Sequence, residues 1–179
     1  ALSSQQQLSL ITSNLGEKID HISNYAITLS INSNIADVLK ENPTVPENTL
    51  EHFLVNSELT DQAQRIIGLH KNIYAWDILD TENHWFHSST TETDQLDSYL
   101  GSEVLDSLQT NLAFQFLGPF QISGEPTFVA LKSITNIDNT KYLGALVLLI
   151  RETNISSAFR DLPDSSSRDF YITDENGQI

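Results

Sequence analysis

The stretch "IYAWDILDTENHWFHSS", residues 73–89, is where the chain changes its period. Upstream, apolar residues recur at helical spacing. From Ile73 they alternate, and β-branched and aromatic residues are prominent, which is the pattern of a strand. "TENH" supplies turn residues and "WFHSS" reads as the return strand. Alternation places Tyr74, Trp76 and Ile78 on one face, and Ile73, Ala75, Asp77 and Leu79 on the other.

Three further strands follow the same logic: Ala113–Ile122, Thr127–Thr135 and Tyr142–Arg151. Gly124-Glu125-Pro126 and Asp138-Asn139 mark the turns between them. Ser102 is placed to cap a short helix over 103–111, and a second short helix is expected over 154–162. An antiparallel meander interrupted by a helix, after two amphipathic helical segments, predicts an α+β domain with helices on the sheet.

Before residue 73 the chain reads as helix. Leu8, Leu15, Ile22 and Leu29 recur every seven residues, with Ile19 and Ala26 on the alternate seam. One helix is expected over 5–41, with Pro43 ending it. At ~1.5 Å per residue such a helix would be roughly 45–50 Å long, more than a small domain needs. Its stripe either packs on its own domain or pairs with a second copy. Asn48, with Glu51 three residues on, resembles a capping box for the next helix.

The end of the chain reads differently. "PDSSSRD" has the composition of a linker. In "FYITDENGQI", Phe170–Ile172 suits a strand and Asp174–Gly177 a tight turn. With five strands already placed before residue 152, the expected organisation is a module over 1–162, a linker over 163–168 and the opening of a second module over 169–179. The lack of Met, with Ala1 first, suggests a segment cut from a longer product.

Composition narrows the function. Lys and Arg number 9 against 24 Asp and Glu, a net charge of −15, which repels nucleic acid and anionic lipid. There is no Cys, so disulfides and thiol chemistry are excluded. No nucleophile elbow or phosphate loop is present. His84 and His87, three apart in a strand, would point to opposite faces, so no metal site is expected. No cofactor is expected, and the fragment reads as non-catalytic.

The helix "ITSNLGEKIDHISNYAITLSINSNIADVLK", the strands "IYAWDILDTENHWFHSS" and "YLGALVLLI" with Gly144, and the closing "FYITDENGQI" together resemble a Cache-type, PAS-like extracellular sensor domain. The likeness is to the ectodomains of Gram-positive membrane histidine kinases. It implies a PAS-like five-stranded antiparallel sheet with a long N-terminal helix packed on it. It also implies flanking transmembrane helices and a cytoplasmic kinase, with this domain outside the cell membrane. Chemoreceptors and cyclases share such ectodomains, and an exported binding or structural protein is the other class of reading. One face of the sheet would take the long helix, and the 84–112 region would cover the other. Tyr74, Trp76, Trp85, Phe128, Lys132 and Arg151 are the expected contacts for a small polar or anionic ligand. A partner protein and a homodimer through the N-terminal helix are the other expected associations.

Overall fold

The computed structural model describes residues 3–68, 72–88, 96–136, 138 and 141–160. The linker and second-module expectations, 163–179, fall outside the described residues. Element order is α1 (Ser4–Ser30), α2 (Ser33–Glu41), α3 (Leu50–Ile67), β1 (Ala75–Asp80), β2 (Trp85–His87), α4 (Leu96–Ser107), β3 (Gln115–Ile122), β4 (Glu125–Thr135), β5 (Tyr142–Arg151) and α5 (Glu152–Arg160). The strands form one sheet in the order β2-β1-β5-β4-β3, with every pairing antiparallel. The architecture is the expected α+β one, a five-stranded antiparallel sheet with helices on it.

β5 explains its own sequence. It lies between β1 and β4, and its residues from Leu143 to Ile150 are buried. A strand covered on both faces has no polar side to alternate with, so it reads as a continuous apolar run. One face carries Leu146, Leu148 and Ile150 with Trp76, Ile78, Phe86, Phe128, Ala130 and Ile134. Against these pack Ile22, Ala26 and Leu29 of α1, Leu39 of α2, and Val55 and Leu59 of α3. The other face carries Ala145, Val147 and Leu149 with Ala75, Leu79, Val129 and Leu131, beneath Leu96, Leu100 and Leu108 of the α4 region. We call these the helix face and the α4 face.

The helix expected over 5–41 is two helices. Asn32 sits in an extended conformation, and its side-chain oxygen accepts the N–H groups of Asn34 and Ile35. It therefore caps a new helix rather than continuing the old one. Asparagine and serine compete locally with the helical backbone, and Ser30, Asn32 and Ser33 fall together here. The heptad stripe also divides. Ile22, Ala26 and Leu29 are core, whereas Leu8 is 60% exposed. The cap of α3 is Thr49, whose hydroxyl accepts the His52 N–H at 3.0 Å, not Asn48, which takes a left-handed φ of 61°. The α4 segment starts earlier than expected and breaks at Gly101, whose φ of 73° lies outside the helical range.

α5 follows β5 directly and packs back on α1. The Lys18 ammonium donates to the Asn154 carbonyl (2.9 Å) and the Ser157 hydroxyl (3.0 Å). Asn154 in turn donates to the Asn72 carbonyl at 3.1 Å, so three segments meet at this seam. Charge-assisted hydrogen bonds of this kind contribute about 1.5–3 kcal/mol when well shielded, and this one is half-exposed. Lys18→Met should lower stability by about 1 kcal/mol. It should also speed amide exchange in α5 more than in β5. Equal acceleration in both elements would contradict a local tie.

Candidate functional site

The strand pleat sorts the candidate residues by face. Trp76 and Phe128 belong to the helix-face core, and Phe128 stacks on Phe116 with ring centroids 5.1 Å apart. Lys132 shares their parity on β4, and its ammonium donates to the Leu112 carbonyl. Partial burial lowers its pKa. Trp85 belongs to the α4 face and stacks nearly parallel on His87, at 6.1 Å and 8°.

Tyr74 corrects the expected pleat. It packs with the α4-face cluster while Ile73 joins the helix face, the reverse of the strict alternation extrapolated from Trp76. The regular ladder begins only at Ala75, so the phase of the pleat does not extend back to residues 73 and 74. Tyr74 meets Arg151, whose guanidinium lies 4.8 Å from the ring centroid, and its hydroxyl stands 3.4 Å from that of Thr127. Arg151 Nε also pairs with Glu125 at 3.2 Å. The six candidates thus do not converge on one pocket. Tyr74 and Arg151 come together, with Trp85 on the same side of the sheet as Tyr74. Trp76, Phe128 and Lys132 lie on the opposite side.

The most unusual group on the α4 face was not among the candidates. Asp77 is fully buried in the middle of β1, between Ala75 and Leu79. The β1–β2 register sets it opposite His87, whose Nδ1 stands 3.1 Å from Asp77 Oδ1. Asp77 Oδ2 has no hydrogen-bond partner among the described residues. Burial raises the pKa of this carboxyl, opposed by the hydrogen bond and charge of His87 and by the Ser88 backbone N–H. An acid flanked by apolar residues on a covered strand was the available signal in the sequence. Its importance emerges only with the register that pairs it with His87.

Asp80 is a contrasting case. It too is buried, but it accepts the N–H groups of Glu82 (2.8 Å) and His84 (2.9 Å) and faces His84 Nδ1 at 3.0 Å. Its carboxylate closes the hairpin turn and has a structural role. Each imidazole of this hairpin therefore stands against its own carboxylate. Among the described residues, no three His, Asp or Glu groups stand close enough together to hold a metal ion. Tyr142, also packed on the α4 face, has its pKa pushed up to about 12 by burial and the Asp80 charge, so its hydroxyl keeps its proton. The α4 face therefore carries, among the described residues, an unpartnered carboxylate oxygen of Asp77 beside His87, with the Tyr142 phenol farther along β5.

No family model and no curated protein matches the sequence. Solved structures do match the fold. The sensor domain of the Vibrio cholerae histidine kinase DctB superposes with a TM-score of 0.59 at 14% identity, covering 88% of this chain and 58% of that one. The sensory domain of the Campylobacter jejuni chemoreceptor Tlp3, solved with isoleucine bound, gives 0.62 at 12% identity, covering 89% and 63%. The Vibrio cholerae LuxQ periplasmic domain gives 0.56 at 13% identity, covering 88% and 70%. The chain spans about three-fifths of the length of the DctB and Tlp3 domains. No helix among the described residues is long and apolar enough to cross a membrane. The chain has the fold shared by these histidine-kinase and chemoreceptor sensor domains.

Proposed function

We propose that this chain is the ligand-sensing module of a transmembrane signalling receptor, lies outside the cytoplasmic membrane, and takes a small polar ligand on its α4 face. The observation that carries this reading is Asp77. A buried polar atom without a partner costs about 1–3 kcal/mol, and more when charged, so a fold that retains one is poised for a donor from elsewhere. In this reading Asp77 Oδ2 receives a hydrogen-bond donor of the ligand, Trp85 and His87 form a wall, and Tyr74 with Arg151 borders the site. Trp76, Phe128 and Lys132 then serve the helix face rather than the ligand. The fold supports the sensing role, and a sensor module of this kind is itself non-catalytic.

A histidine kinase is the proposed parent, with a chemoreceptor as the second reading, since the matching fold occurs in both. The reading frame of the whole gene decides between them: a kinase downstream of a second membrane span favours the first. The opening of a second module at 169–179 stays part of the proposal, on the linker composition of 163–168.

Signalling requires that the ligand bind two arrangements differently. β5 passes under the site and runs directly into α5, which Lys18 ties to α1. A ligand that shifts β5 would therefore act on the α1–α5 seam. The exposed Leu8 and Leu10 near the start of α1 suit pairing with a second copy. Sedimentation at high protein concentration should show a dimer that Leu8→Asp dissociates. A strictly monomeric wild type would remove the pairing part of the proposal.

A thermal-shift screen with amino acids, carboxylates, sugars and short peptides tests the sensing role. A true ligand at 100 times its dissociation constant should add about 2.7 kcal/mol. A screen without a stabilising compound would count against a small-molecule signal.

A further inference from the structure

On the helix side, at one end of the sheet, lies a second concavity. It has a volume of about 700 Å³, within the usual range for small-molecule sites. α2 forms one wall. Its buried stripe of Ile35, Ala36, Val38 and Leu39 turns toward the core, and Leu39 packs close to Gly144 at the start of β5. That leaves Ser33, Asp37 and Lys40, spaced at helical intervals, to line the cleft. The end of β4 and the start of β5 form the opposite wall through Thr135, Asn136, Asp138 and Leu143. Ile31, at the break between α1 and α2, also lines it while 67% exposed.

Two features suggest a ligand. The first is an isoleucine held open to solvent inside a cleft that also presents Ala36 and Leu143. The second is the set of charges. Asp37, Lys40 and Asp138 enter no ion pair among the described residues, although both signs face one concavity. Asp37 and Lys40 belong to α2 and Asp138 to the opposite wall, so charge reaches the cleft from both walls, alongside the apolar Ile31, Ala36 and Leu143. An anion alone would meet two carboxylates, and a cation alone would meet Lys40. A molecule with both charges, separated by an aliphatic chain, matches the whole lining.

We propose that the cleft between α2 and the β4–β5 end is a second ligand site, taking a small aliphatic zwitterion of the ω-amino acid type. Its ammonium is held by Asp37 and Asp138, its carboxylate by Lys40, and its chain lies on Ile31 and Leu143. This site is independent of Asp77 and lies on the other side of the sheet. Leu143 of its lining belongs to β5, so occupancy bears on the same strand that passes under the α4 face.

Calorimetric titration with 5-aminopentanoate, pentylamine and pentanoate tests it. 5-Aminopentanoate should bind with a dissociation constant on the order of 1 mM or tighter. Each half-molecule should bind about tenfold more weakly, as expected for loss of one charge-assisted contact. Lys40→Gln and Asp37→Asn, both at exposed positions where the fold is not at risk, should each weaken binding of the zwitterion about fivefold or more. Asp77→Asn should leave it unchanged. Lack of binding, equal binding of pentylamine, or indifference to Lys40→Gln and Asp37→Asn would each overturn the assignment. Loss of binding in Asp77→Asn alone would place the ligand on the α4 face, overturning this site while supporting the first.

Discussion

Gly144→Ala should destabilise the protein by about 3 kcal/mol, at the upper end of what overpacking costs in a close-packed interior. A Cβ built at Gly144 would lie 2.4 Å from the Leu79 carbonyl oxygen, and the obstacle is backbone rather than a side chain that could swing away. Gly144 pairs with Asp80 of β1 and Ile134 of β4 at the start of the central strand. Making room therefore means parting β1 from β5, which carry both core clusters between them. Chemical denaturation should show a lower midpoint with an unchanged slope. Gly124→Ala is the control: a Cβ there meets open space, and only its positive φ of 80° is strained, so about 1 kcal/mol is expected. Equal effects at the two glycines would show that close approach at Gly144 is not what matters.

Asp77→Asn should do two opposite things. Binding of a ligand on the α4 face should weaken by about tenfold or more, because a charge-assisted hydrogen bond contributes about 1.5–3 kcal/mol. Stability at neutral pH should rise, because burial disfavours the ionised form of this carboxyl, and Asn removes the ionisation while keeping an acceptor for His87. The pH dependence follows from the direction of the shift. The folded protein holds the Asp77 proton more tightly than the unfolded chain, whose carboxyl titrates near 3.8. Stability from this group is thus fully present below that value and is lost as pH rises through the raised folded value. Asp77→Asn should flatten this part of the stability profile. A purely structural carboxylate would behave in the opposite way, with the substitution lowering stability and leaving ligand affinity alone. Gains in stability bought by losing function are the usual signature of a binding group.

Much of the fold is legible in the sequence because its strands carry simple signals. The apolar run at 143–150 is what a central strand covered on both faces must look like, and the turn residues around Thr81–His84 and Gly124 bracket the hairpins. The break at Asn32 is less legible. An asparagine is tolerated inside a helix, and only the geometry shows its side chain capping the next one. The site was less legible still. Tyr74, Trp76, Trp85, Phe128, Lys132 and Arg151 share a chemical character, but residue type does not say which side of a sheet a group occupies. Tyr74 shows that even alternation fails one residue outside the ladder. Asp77 needed two facts at once, its covered face and its register with His87, and the second depends on how the hairpin closes.

Hydrogen exchange on the protein saturated with a hit from the thermal-shift screen, compared with the free protein, shows whether the ligand sits against Asp77. Slower exchange should be concentrated in β1, β2 and the α4 segment, with Asp77→Asn abolishing the change. Protection confined to α1, α2 and α3, with the amides around Asp77 and His87 unaltered, would rule out a ligand on the α4 face.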